Sequence, residues 1–435
     1  MTAATSPASA TSTALNPGVQ KRELFAWAMY DFANSGYTTV VLTAVFNAYF
    51  VSVIAGKAPW ATFAWTATLA VSYALVMLAG PVIGTHADAK AAKKRWLFVM
   101  TVGCIASTAA LYFAGPGMLV YAMIFVIISN FCYAIGENLT AAFLPELARP
   151  EAMGKVSGWG WSLGYVGGLV ALGISLAWLM TAESRGSTTG AAVPGTLLIT
   201  AVVYAVAASA TFLWLKERAV PCDPPTSSSW SQLKAAIAEA WTMKDLTRVC
   251  IVAICYQAGV ATVIALAAIY AQEVMGFTTQ DTLVLVLLVN ITACIGAFAF
   301  GYAQDKLGKV NALRVTLFGW VAMVGFAWFA TDRSLFWVAA NLAGLCMGSS
   351  QSAGRALIAY FAPPAKAAEM FGVFGLATRL AAILGPITYG IVSWVSGGDH
   401  RLAMLITGVF FIAAIVLLSG VDEARGRREA EAAAG

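Results

Sequence analysis

Four ionisable side chains interrupt segments that are otherwise almost wholly apolar: Asp31, Glu137, Arg355 and Arg379. A charge at the centre of a lipid-facing helix costs at least about 2.5–3.5 kcal/mol. We therefore expect all four side chains to face the interior of a helix bundle, where two acids and two bases can pair. A buried carboxylate with a raised pKa can carry a proton, and an arginine can hold a substrate carboxylate through two hydrogen bonds.

The sequence leaves three roles open for these charges. They form ion pairs that close one end of a transport path, they bind a solute or a proton, or they only fix helix packing. Buried ion pairs need not stabilise a fold, so packing alone is a weak reason to keep four of them. His86 and His400 both fall in predicted loops, so any proton coupling has to use a carboxylate.

Polar and aromatic residues accompany the charges along the same predicted helices. Asn34 follows Asp31 by three positions and Gln351 precedes Arg355 by four, spacings that place side chains on one helix face. The predicted substrate, coupling or gate region has seven members: Asp31, Asn34, Glu137, Asn138, Gln351, Arg355 and Arg379. Four aromatic residues are candidates for lining the path: Trp27, Tyr30, Tyr37 and Tyr133.

Composition indicates which solvent surrounds these helices. Of the 435 residues, 60% are hydrophobic and 11% are charged, whereas soluble domains carry about 25% charged residues. The surplus apolar surface needs a lipid bilayer as its solvent. The net charge of +5 is spread over short clusters between apolar runs, so we expect no nucleic-acid partner. The cysteines and histidines form no ligand cluster, so we expect no metal and no cofactor.

Twelve stretches approach the length of about 20 mostly apolar residues that a membrane helix needs. They fall near 24–54, 60–84, 96–114, 119–143, 156–180, 195–215, 249–273, 281–302, 311–331, 335–360, 371–395 and 401–420. The predicted organisation is a disordered tail at 1–20, a six-helix half at 21–215, a cytoplasmic linker at 216–248, a second half at 249–420 and a cytoplasmic tail at 421–435. Within the linker, one face of an amphipathic surface helix is predicted to carry Leu233, Ile237, Ala240 and Trp241.

Basic residues in the loops predict the orientation of the chain. If the N-terminus is cytoplasmic, the cytoplasmic side receives 20 lysines and arginines and the opposite side receives 4. Positive charge is enriched in cytoplasmic loops. The count therefore predicts that both termini are cytoplasmic and that the number of membrane helices is even.

Two loops separated by 217 positions repeat one pattern. The first contains Gly84, Asp88, Lys93 and Lys94, and the second contains Gly301, Asp305, Lys306, Gly308 and Lys309. A longer echo at 218 positions aligns Glu137 with Arg355. Glycine allows close helix contact, and we expect each Asp to lie beside the start of the next helix, where the helix dipole favours an anion. The glycines at 160, 164 and 168 predict another close helix contact.

These loops resemble the signature loop of the major facilitator superfamily, in which the Asp helps to latch two six-helix halves on the cytoplasmic side. The resemblance implies an all-α fold of twelve transmembrane helices in two repeated halves, with the solute site between them. The first copy departs from the family pattern at His86 and at Ala91-Ala92, where an apolar residue and a glycine are usual. That departure predicts a weaker latch in the first half.

A closer resemblance begins at Trp27-Ala-Met-Tyr-Asp31-Phe-Ala-Asn34-Ser35. This stretch is similar to the vacuole-effluxer branch of the superfamily, typified by the yeast vacuolar amino acid effluxer and its bacterial relatives. Leu144–Ala148 and Gln351–Arg355 agree with it. The resemblance implies a secondary transporter that exports a small polar, amino-acid-like solute by alternating access. We expect a monomeric, multi-pass protein of the bacterial cytoplasmic (inner) membrane, with the solute and lipid as partners and proton coupling left open.

Other functions stay open from the sequence. One is uptake or efflux of a different small organic metabolite or drug. Two others belong to different classes: a receptor that no longer transports, and an intramembrane enzyme. No Ser, His and Asp fall on neighbouring predicted membrane elements, and no G-x-x-x-x-G-K-[ST] loop is present. We therefore expect neither an enzyme nor a pump that carries its own ATP-driven motor.

Overall fold

The computed structural model describes residues 14–56, 58, 60–221, 229–277 and 279–433. Within these residues the regular structure is helical, apart from one isolated bridge between Leu15 and Ala148. The first bundle contains α1 Lys21–Tyr37, α2 Ala61–Ala89, α3 Lys93–Ala110, α4 Leu119–Ala141, α5 Met153–Ser184 and α6 Thr189–Trp214. A connecting helix, α7 Ser229–Thr242, precedes the second bundle. That bundle contains α8 Lys244–Glu273, α9 Thr279–Leu307, α10 Lys309–Phe329, α11 Arg333–Phe361, α12 Ala367–Val395 and α13 His400–Leu418, and α14 Glu423–Ala432 follows it.

Eleven helices in the described part of the chain are long and apolar enough to cross a membrane. The predicted span at 335–360 is helical as part of α11 but is not among the eleven, because polar residues such as Asn341 and Gln351 lower its mean hydropathy. Most of α11 is buried against other helices. The outer surface is apolar: Phe113, Val206 and Phe329 are 68%, 68% and 71% exposed. Such a surface suits a lipid environment.

One contact occurs in the same form in both bundles. The Tyr30 hydroxyl of α1 lies against Gly136 of α4, and the Tyr256 hydroxyl of α8 lies against Gly354 of α11. Gly136 and Gly354 are 218 positions apart, which is the spacing of the sequence echo. The echo therefore corresponds to equivalent positions in two bundles of the same design.

The two bundles meet along a seam, defined here as the contacts of α2 with α12 and of α5 with α9. A Cβ at Gly84 would collide with the carbonyl oxygen of Ala368. A Cβ at Gly158 would lie 2.5 Å from the carbonyl oxygen of Ala297. Backbones approach so closely only where side chains are absent, so glycines determine how tightly the seam can close.

The first predicted span is continuous but irregular beyond α1. It passes through a π-helical segment at Thr38–Ala44, one α-helical turn at Phe46–Tyr49 and a second π-helical segment at Phe50–Ile54. π-helical turns are rare and often accompany functional sites. The pattern of apolar residues predicted the length of this span but not its distortion.

Residues 14–20 are packed against the first bundle, so the predicted disordered tail at 1–20 is wrong for them. The Asn16 side-chain amide donates to the carbonyl oxygens of Pro145 at 2.9 Å and Glu146 at 3.0 Å. The Arg149 side chain donates to the carbonyl oxygen of Leu15 at 3.0 Å. These hydrogen bonds fix the segment against the first bundle. The low-complexity composition of residues 1–20 gave no reason to expect them. The remaining part of the predicted tail, residues 1–13, lies outside the described residues.

The C-terminal segment 421–435 is also not a free tail over its described part, because α14 folds back on the second bundle. Arg425 donates two hydrogen bonds, at 2.6 and 2.8 Å, to the buried carboxylate of Asp245 at the start of α8. Asp422 starts α14 by accepting the backbone N–H of Arg425 at 2.8 Å. A fully buried carboxylate needs such partners. The ion pair between Asp245 and Arg425 therefore holds α14 against the second bundle, a contact that the composition of the segment does not indicate.

The predicted amphipathic helix in the linker corresponds to α7. Ala240 is buried, whereas Trp241 is 68% exposed, so these two residues do not share one buried face. The side chain of Leu233 lies outside the described residues. α7 contacts α2 of the first bundle and α8 and α12 of the second, and Glu239 forms an ion pair with Lys366. The helix therefore covers one end of the seam.

Candidate functional site

Asp31 and Arg355 form an ion pair between the two bundles. Asp31 Oδ2 of α1 lies 2.6 Å from Arg355 Nη1 of α11. The side chains are only 11% and 7% exposed. Enclosed charges of this kind are stable only when their other donors and acceptors are also satisfied.

Ser157 of α5 accepts hydrogen bonds from the other two guanidinium nitrogens. Arg355 Nε donates to Ser157 Oγ at 3.1 Å, and Nη2 donates to the Ser157 carbonyl oxygen at 2.8 Å. The rings of Trp27 and Trp161 lie with their centroids 4.7 and 5.2 Å from the guanidinium carbon. These distances fall within cation–π range. Arg355 is therefore fixed by one carboxylate, one serine and two indole rings.

The glycine at position 160 makes room for this pair. A Cβ at Gly160 would lie 2.5 Å from Asp31 Oδ2 and 2.6 Å from Arg355 Nη2. Gly164 and Gly168 continue the same row, against Ser35 of α1 and Thr39 of the π-helical segment that follows it. The close helix contact predicted from the four-residue spacing is confirmed as the contact of α5 with α1.

A second ion pair joins the bundles at a more open position. Glu137 Oε2 of α4 lies 2.8 Å from Arg379 Nη2 of α12, and their side chains are 31% and 14% exposed. The ring centroids of Tyr73 and Tyr133 lie 5.5 and 5.9 Å from the Arg379 guanidinium carbon. Arg379 Nε has no hydrogen-bond partner among the described residues. This pair thus keeps an unused donor and partial access to solvent.

The repeat places opposite chemistry at equivalent positions. Glu137 and Arg355 are 218 positions apart and do not pair with each other, because each finds its partner on a different helix. Trp161 and Arg379 are also 218 positions apart. Trp161 covers Arg355 with its ring, whereas Arg379 neutralises Glu137 with its charge. At equivalent positions of the repeat, the first bundle therefore carries the anion Glu137 and the second bundle carries the cation Arg355.

Three of the four candidate path-lining aromatics are fully buried. Trp27 Nε1 donates to the carbonyl oxygen of Thr140 at 2.8 Å. The hydroxyls of Tyr30 and Tyr37 are hydrogen bonded to Thr101 at 3.0 Å and to Ser129 at 2.8 Å. In this conformation hydrogen bonds turn the Tyr30 and Tyr37 side chains into the first bundle, and their role in lining a path stays a prediction. Trp27 and Tyr133 lie beside the two cross-bundle arginines.

The predicted amides occupy separate positions around the ion pairs. Asn34 accepts a hydrogen bond from the Tyr204 hydroxyl inside the first bundle. Gln351 and Gln257 exchange two amide hydrogen bonds, at 2.8 and 3.3 Å, inside the second bundle. Asn138 lies at the crossing of α4 with α12, close to Gly375. The structure therefore does not gather the seven predicted residues into one cluster.

Asp88 of the first signature loop binds across the seam. Its Oδ2 accepts the backbone N–H of Glu369 at 2.9 Å, at the start of α12. We expected the Asp beside the following helix of its own half. Its Oδ1 does lie 3.6 Å from Nζ of Lys93, the first residue of α3, but the backbone N–H that the carboxylate accepts belongs to the other bundle. Gly84 is one turn earlier and touches the backbone at Ala368, so α2 reaches the first turn of α12. A carboxylate at the start of a helix accepts hydrogen bonds from unpaired backbone N–H groups and is stabilised by the helix dipole.

Lysine side chains complete the first latch. Lys93 is fully buried, and its Nζ lies 2.5 Å from Glu146 Oε1 and 3.6 Å from Asp88 Oδ1. Lys94 instead donates to the carbonyl oxygen of Leu215. Glu217, which follows α6, accepts the backbone N–H groups of Lys93 at 2.7 Å and Lys94 at 3.1 Å. The loop is thus held by carboxylates from two other segments.

The second signature loop repeats this arrangement. The Asp305 carboxylate lies near the backbone N–H groups of Gly154 and Lys155 at the start of α5, although its Oδ1 makes no hydrogen bond within the described residues. Gly301 touches Gly158 of the same helix. Asp88 and Asp305 therefore each reach from one bundle to the start of a helix in the other. Two such contacts form a reciprocal pair of latches.

The basic residues of the second loop have distinct positions. Lys309 is buried, and its Nζ lies 3.8 Å from Glu423 Oε1 of α14. Glu423 also accepts the backbone N–H of Val310 at 3.2 Å. Gly308 has a φ of +84° before the start of α10, while Lys306 is exposed.

Sequence reasoning missed several residues that hold these contacts. Ser157 and Trp161 carry no charge, so nothing marked them as partners of Arg355. Glu217 and Glu423 were assigned to the linker and the tail. The available signal was their position, because each Glu follows the last helix of its bundle and binds at the start of the third helix.

Comparisons with known proteins agree with this architecture. A family model described as "Vacuole effluxer Atg22 like" matches residues 48–431. YxiO of Bacillus subtilis, an MFS-type transporter, is 24% identical over 405 residues, which cover 92% of this chain and 94% of that protein. Autophagy-related protein 22 of Yarrowia lipolytica is 26% identical over 333 residues, which cover 69% of this chain and 56% of that protein. The structure of the human organic anion transporter MFSD10 gives a TM-score of 0.69 at 13% identity and covers 92% of this chain and 99% of that one.

Two helical bundles with buried charges at their seam, together with these relatives, define a multi-pass integral membrane transporter of the major facilitator superfamily. It is a transporter and not an enzyme, as its relatives are. Within the superfamily, the chain belongs to the vacuole effluxer Atg22-like family, whose model covers most of its length.

Proposed function

We propose that the chain is a secondary active transporter that exports a small polar, amino-acid-like solute by alternating access. The two bundles are the moving bodies, and the solute binds between them. The observation that carries the proposal is the presence of two ion pairs, Asp31–Arg355 and Glu137–Arg379, that join the bundles across the seam. Both ion pairs must break when the two bundles separate at the level of these residues.

Asp31–Arg355 is the pair suited to act as a gate. It is enclosed, and both Ser157 and the indole rings hold the guanidinium in place. A pair with this many partners resists exchange with a passing solute. It is broken by relative movement of α1 and α5 against α11.

Glu137–Arg379 is the pair suited to bind the solute. An amino group can replace Arg379 beside Glu137 and lie against the rings of Tyr73 and Tyr133. A carboxylate can bind Arg379, whose Nε has no partner among the described residues. A zwitterionic solute would thus replace the Glu137–Arg379 pair by two ion pairs, one between its amino group and Glu137 and one between its carboxylate and Arg379. Proton coupling through a carboxylate of these pairs is part of the proposal.

The membrane arrangement is part of the proposal. In addition to the eleven apolar spans, α11 also crosses the membrane, enclosed by the other helices, which makes twelve crossings. Both termini are cytoplasmic, as the loop charges favour. With that orientation the latches at Asp88 and Asp305 close the cytoplasmic side. The proposed location is the cytoplasmic (inner) membrane of a bacterium, where the chain acts as a monomer.

Flux from proteoliposomes loaded with labelled amino acids tests the proposal. Glu137→Gln and Arg379→Gln should each weaken solute binding by about 10- to 100-fold, because a charge-assisted hydrogen bond contributes about 1.5–3 kcal/mol. Arg355→Gln should change the rate of exchange more than the affinity. Arg314→Gln, which removes a half-buried arginine that donates to Asn311 of its own helix, is the matched control. Unchanged flux and unchanged pH dependence in Glu137→Gln and Arg355→Gln would contradict both charge roles.

A further inference from the structure

An apolar groove opens on the outer side of the seam, and neither ion pair contributes to its lining. Its volume is about 460 Å³, and it lies between α1 and α5 of the first bundle and α9 of the second. Its walls include Leu24, Phe25, Ala28, Leu163, Val166 and Phe298. Phe25, Val166 and Phe298 are 50%, 38% and 49% exposed, so the groove faces the surroundings of the protein.

The walls of the groove are apolar along its length, and basic residues lie at one end. It follows α1 from Lys21 to Ala28, about 10 Å at 1.5 Å per residue. Lys21 lies at the start of α1 and is exposed. Lys155 lies one turn before Trp159, a lining residue, and its Nζ is 5.2 Å from the Trp159 ring centroid and 4.8 Å from that of Tyr302. Both lysines are at the end of the seam where Asp305 reaches α5.

Aromatic residues mark this end as a membrane boundary. Trp159 Nε1 donates to the Tyr302 hydroxyl at 3.2 Å, across the seam. Tryptophan and tyrosine are enriched at the level of lipid headgroups. The groove therefore extends from the headgroup level towards the hydrocarbon region, with its two lysines where lipid phosphates lie.

We propose that this groove binds one anionic phospholipid, with an acyl chain along the apolar walls and the phosphate group between Lys21 and Lys155. Charge complementarity selects an anionic lipid, and the apolar length excludes a free phosphate ion as the occupant. The proposal concerns a site distinct from the ion pairs and does not depend on the identity of the transported solute.

The groove exists only when the seam is closed at this level. Its walls come from both bundles, and Ser162 Oγ donates to the carbonyl oxygen of Cys294 at 3.2 Å beside it. A ligand that binds one conformation more tightly shifts the population towards it. The bound lipid consequently stabilises the conformation in which α5 contacts α9.

Native mass spectrometry of the full chain, titrated in detergent with phosphatidylglycerol or phosphatidylcholine of the same acyl chains, tests the site. One phosphatidylglycerol should be retained in preference to phosphatidylcholine, and glycerol phosphate should not displace it. Lys21→Gln with Lys155→Gln should weaken retention by about 25-fold, since each basic residue contributes about fivefold. Val166→Trp should also weaken it by filling the groove from the membrane side.

The matched control is Lys306→Gln with Arg314→Gln, which removes the same charge from the neighbouring end of α9 and the start of α10. This control should retain the lipid as the unaltered chain does. Equal binding of phosphatidylcholine, or equal weakening in the control, would overturn the anionic site. Full retention in Val166→Trp would overturn the placement of the acyl chain, and that variant leaves both lysines in place if the lysine variant fails to fold.

Discussion

The two cross-bundle arginines differ in how much of the guanidinium group they use. Arg355 bonds through Nε, Nη1 and Nη2 and lies against two indole rings. Arg379 bonds to a carboxylate through Nη2 alone. A lysine offers a compact charge but cannot reproduce a planar set of donors. The same conservative substitution is therefore far from equivalent at the two positions.

This difference gives a prediction at the level of single residues. Arg355→Lys should reduce proteoliposome flux at least tenfold, because it loses the bonds to Ser157 and the flat contact with Trp27. Arg379→Lys should retain more of the flux, since a single ion pair with Glu137 can re-form. Each variant is the control for the other, and equal losses would contradict the assignment of distinct roles.

At the level of helices, the starts of α3 and α10 show what the repeat conserved and what it changed. Gly308 precedes α10 with a φ of +84°, and Ala91, 217 positions earlier, has a φ of +45°. A left-handed conformation costs a residue with a side chain about 1–2 kcal/mol. The first loop therefore holds an alanine in a conformation that suits glycine, as the departure of Ala91-Ala92 from the family pattern indicated.

Exchanging these residues should change stability in opposite directions. Gly308→Ala should lower the free energy of unfolding by about 1–3 kcal/mol, because a φ of +84° with a ψ of 150° is a conformation essentially restricted to glycine. A Cβ there would also lie 3.0 Å from Glu423 Oε2. Ala91→Gly should raise it slightly. Thermal unfolding in detergent measures both changes.

Gly325→Ala in the interior of α10 is the control for these two exchanges. A Cβ at Gly325 has no atom within 4 Å, so this substitution should stabilise the helix by about 0.5–1 kcal/mol. A stabilising effect of Gly308→Ala would contradict the conformational argument.

At the level of the whole molecule, the two signature loops connect the bundles reciprocally. Asp88 reaches from the first bundle to α12, and Asp305 reaches from the second bundle to α5. Glu217 and Glu423 hold the same loops from the segments that follow each bundle. The linker and α14 are therefore structural parts of the latches, and the closed conformation depends on contacts from six separate stretches of chain.

Removing both carboxylates should open this end of the molecule. Each of Asp88→Ala and Asp305→Ala should remove about 1 kcal/mol of helix-start stabilisation, so the double variant should shift the ratio of closed to open conformations by about 30-fold. Pulsed electron spin resonance between labels at Lys90 and Lys306, on the exposed ends of α2 and α9, measures that ratio.

Asp332→Ala is the matched control, because Asp332 accepts the backbone N–H of Leu335 at 2.9 Å at the start of α11. This contact lies within one bundle, so its loss should lower stability without changing the distances between labels. An unchanged distance distribution in the double variant would contradict the role of the Asp residues as latches.

The sequence by itself determined the class of protein, because lipid solubility and helix length are properties of local composition. Runs of about 20 apolar residues, the 218-position echo and the paired loops identified a duplicated helical membrane protein. The cost of charge in lipid also sufficed to select Asp31, Glu137, Arg355 and Arg379 as interior residues.

Only the tertiary structure decided which residues meet. Pairing depends on how two bundles are placed against each other, and nothing in the spacing of Glu137, Arg355 and Arg379 specifies that placement. For the same reason the helix-dipole argument placed Asp88 beside the next helix of its own half. Only the family resemblance implied a contact between the halves, and the partner of Asp88 lies 281 positions away. Ser157 and Trp161 illustrate the limit most clearly, because uncharged residues acquire a role at an ion pair only through the helix contacts that bring them to it.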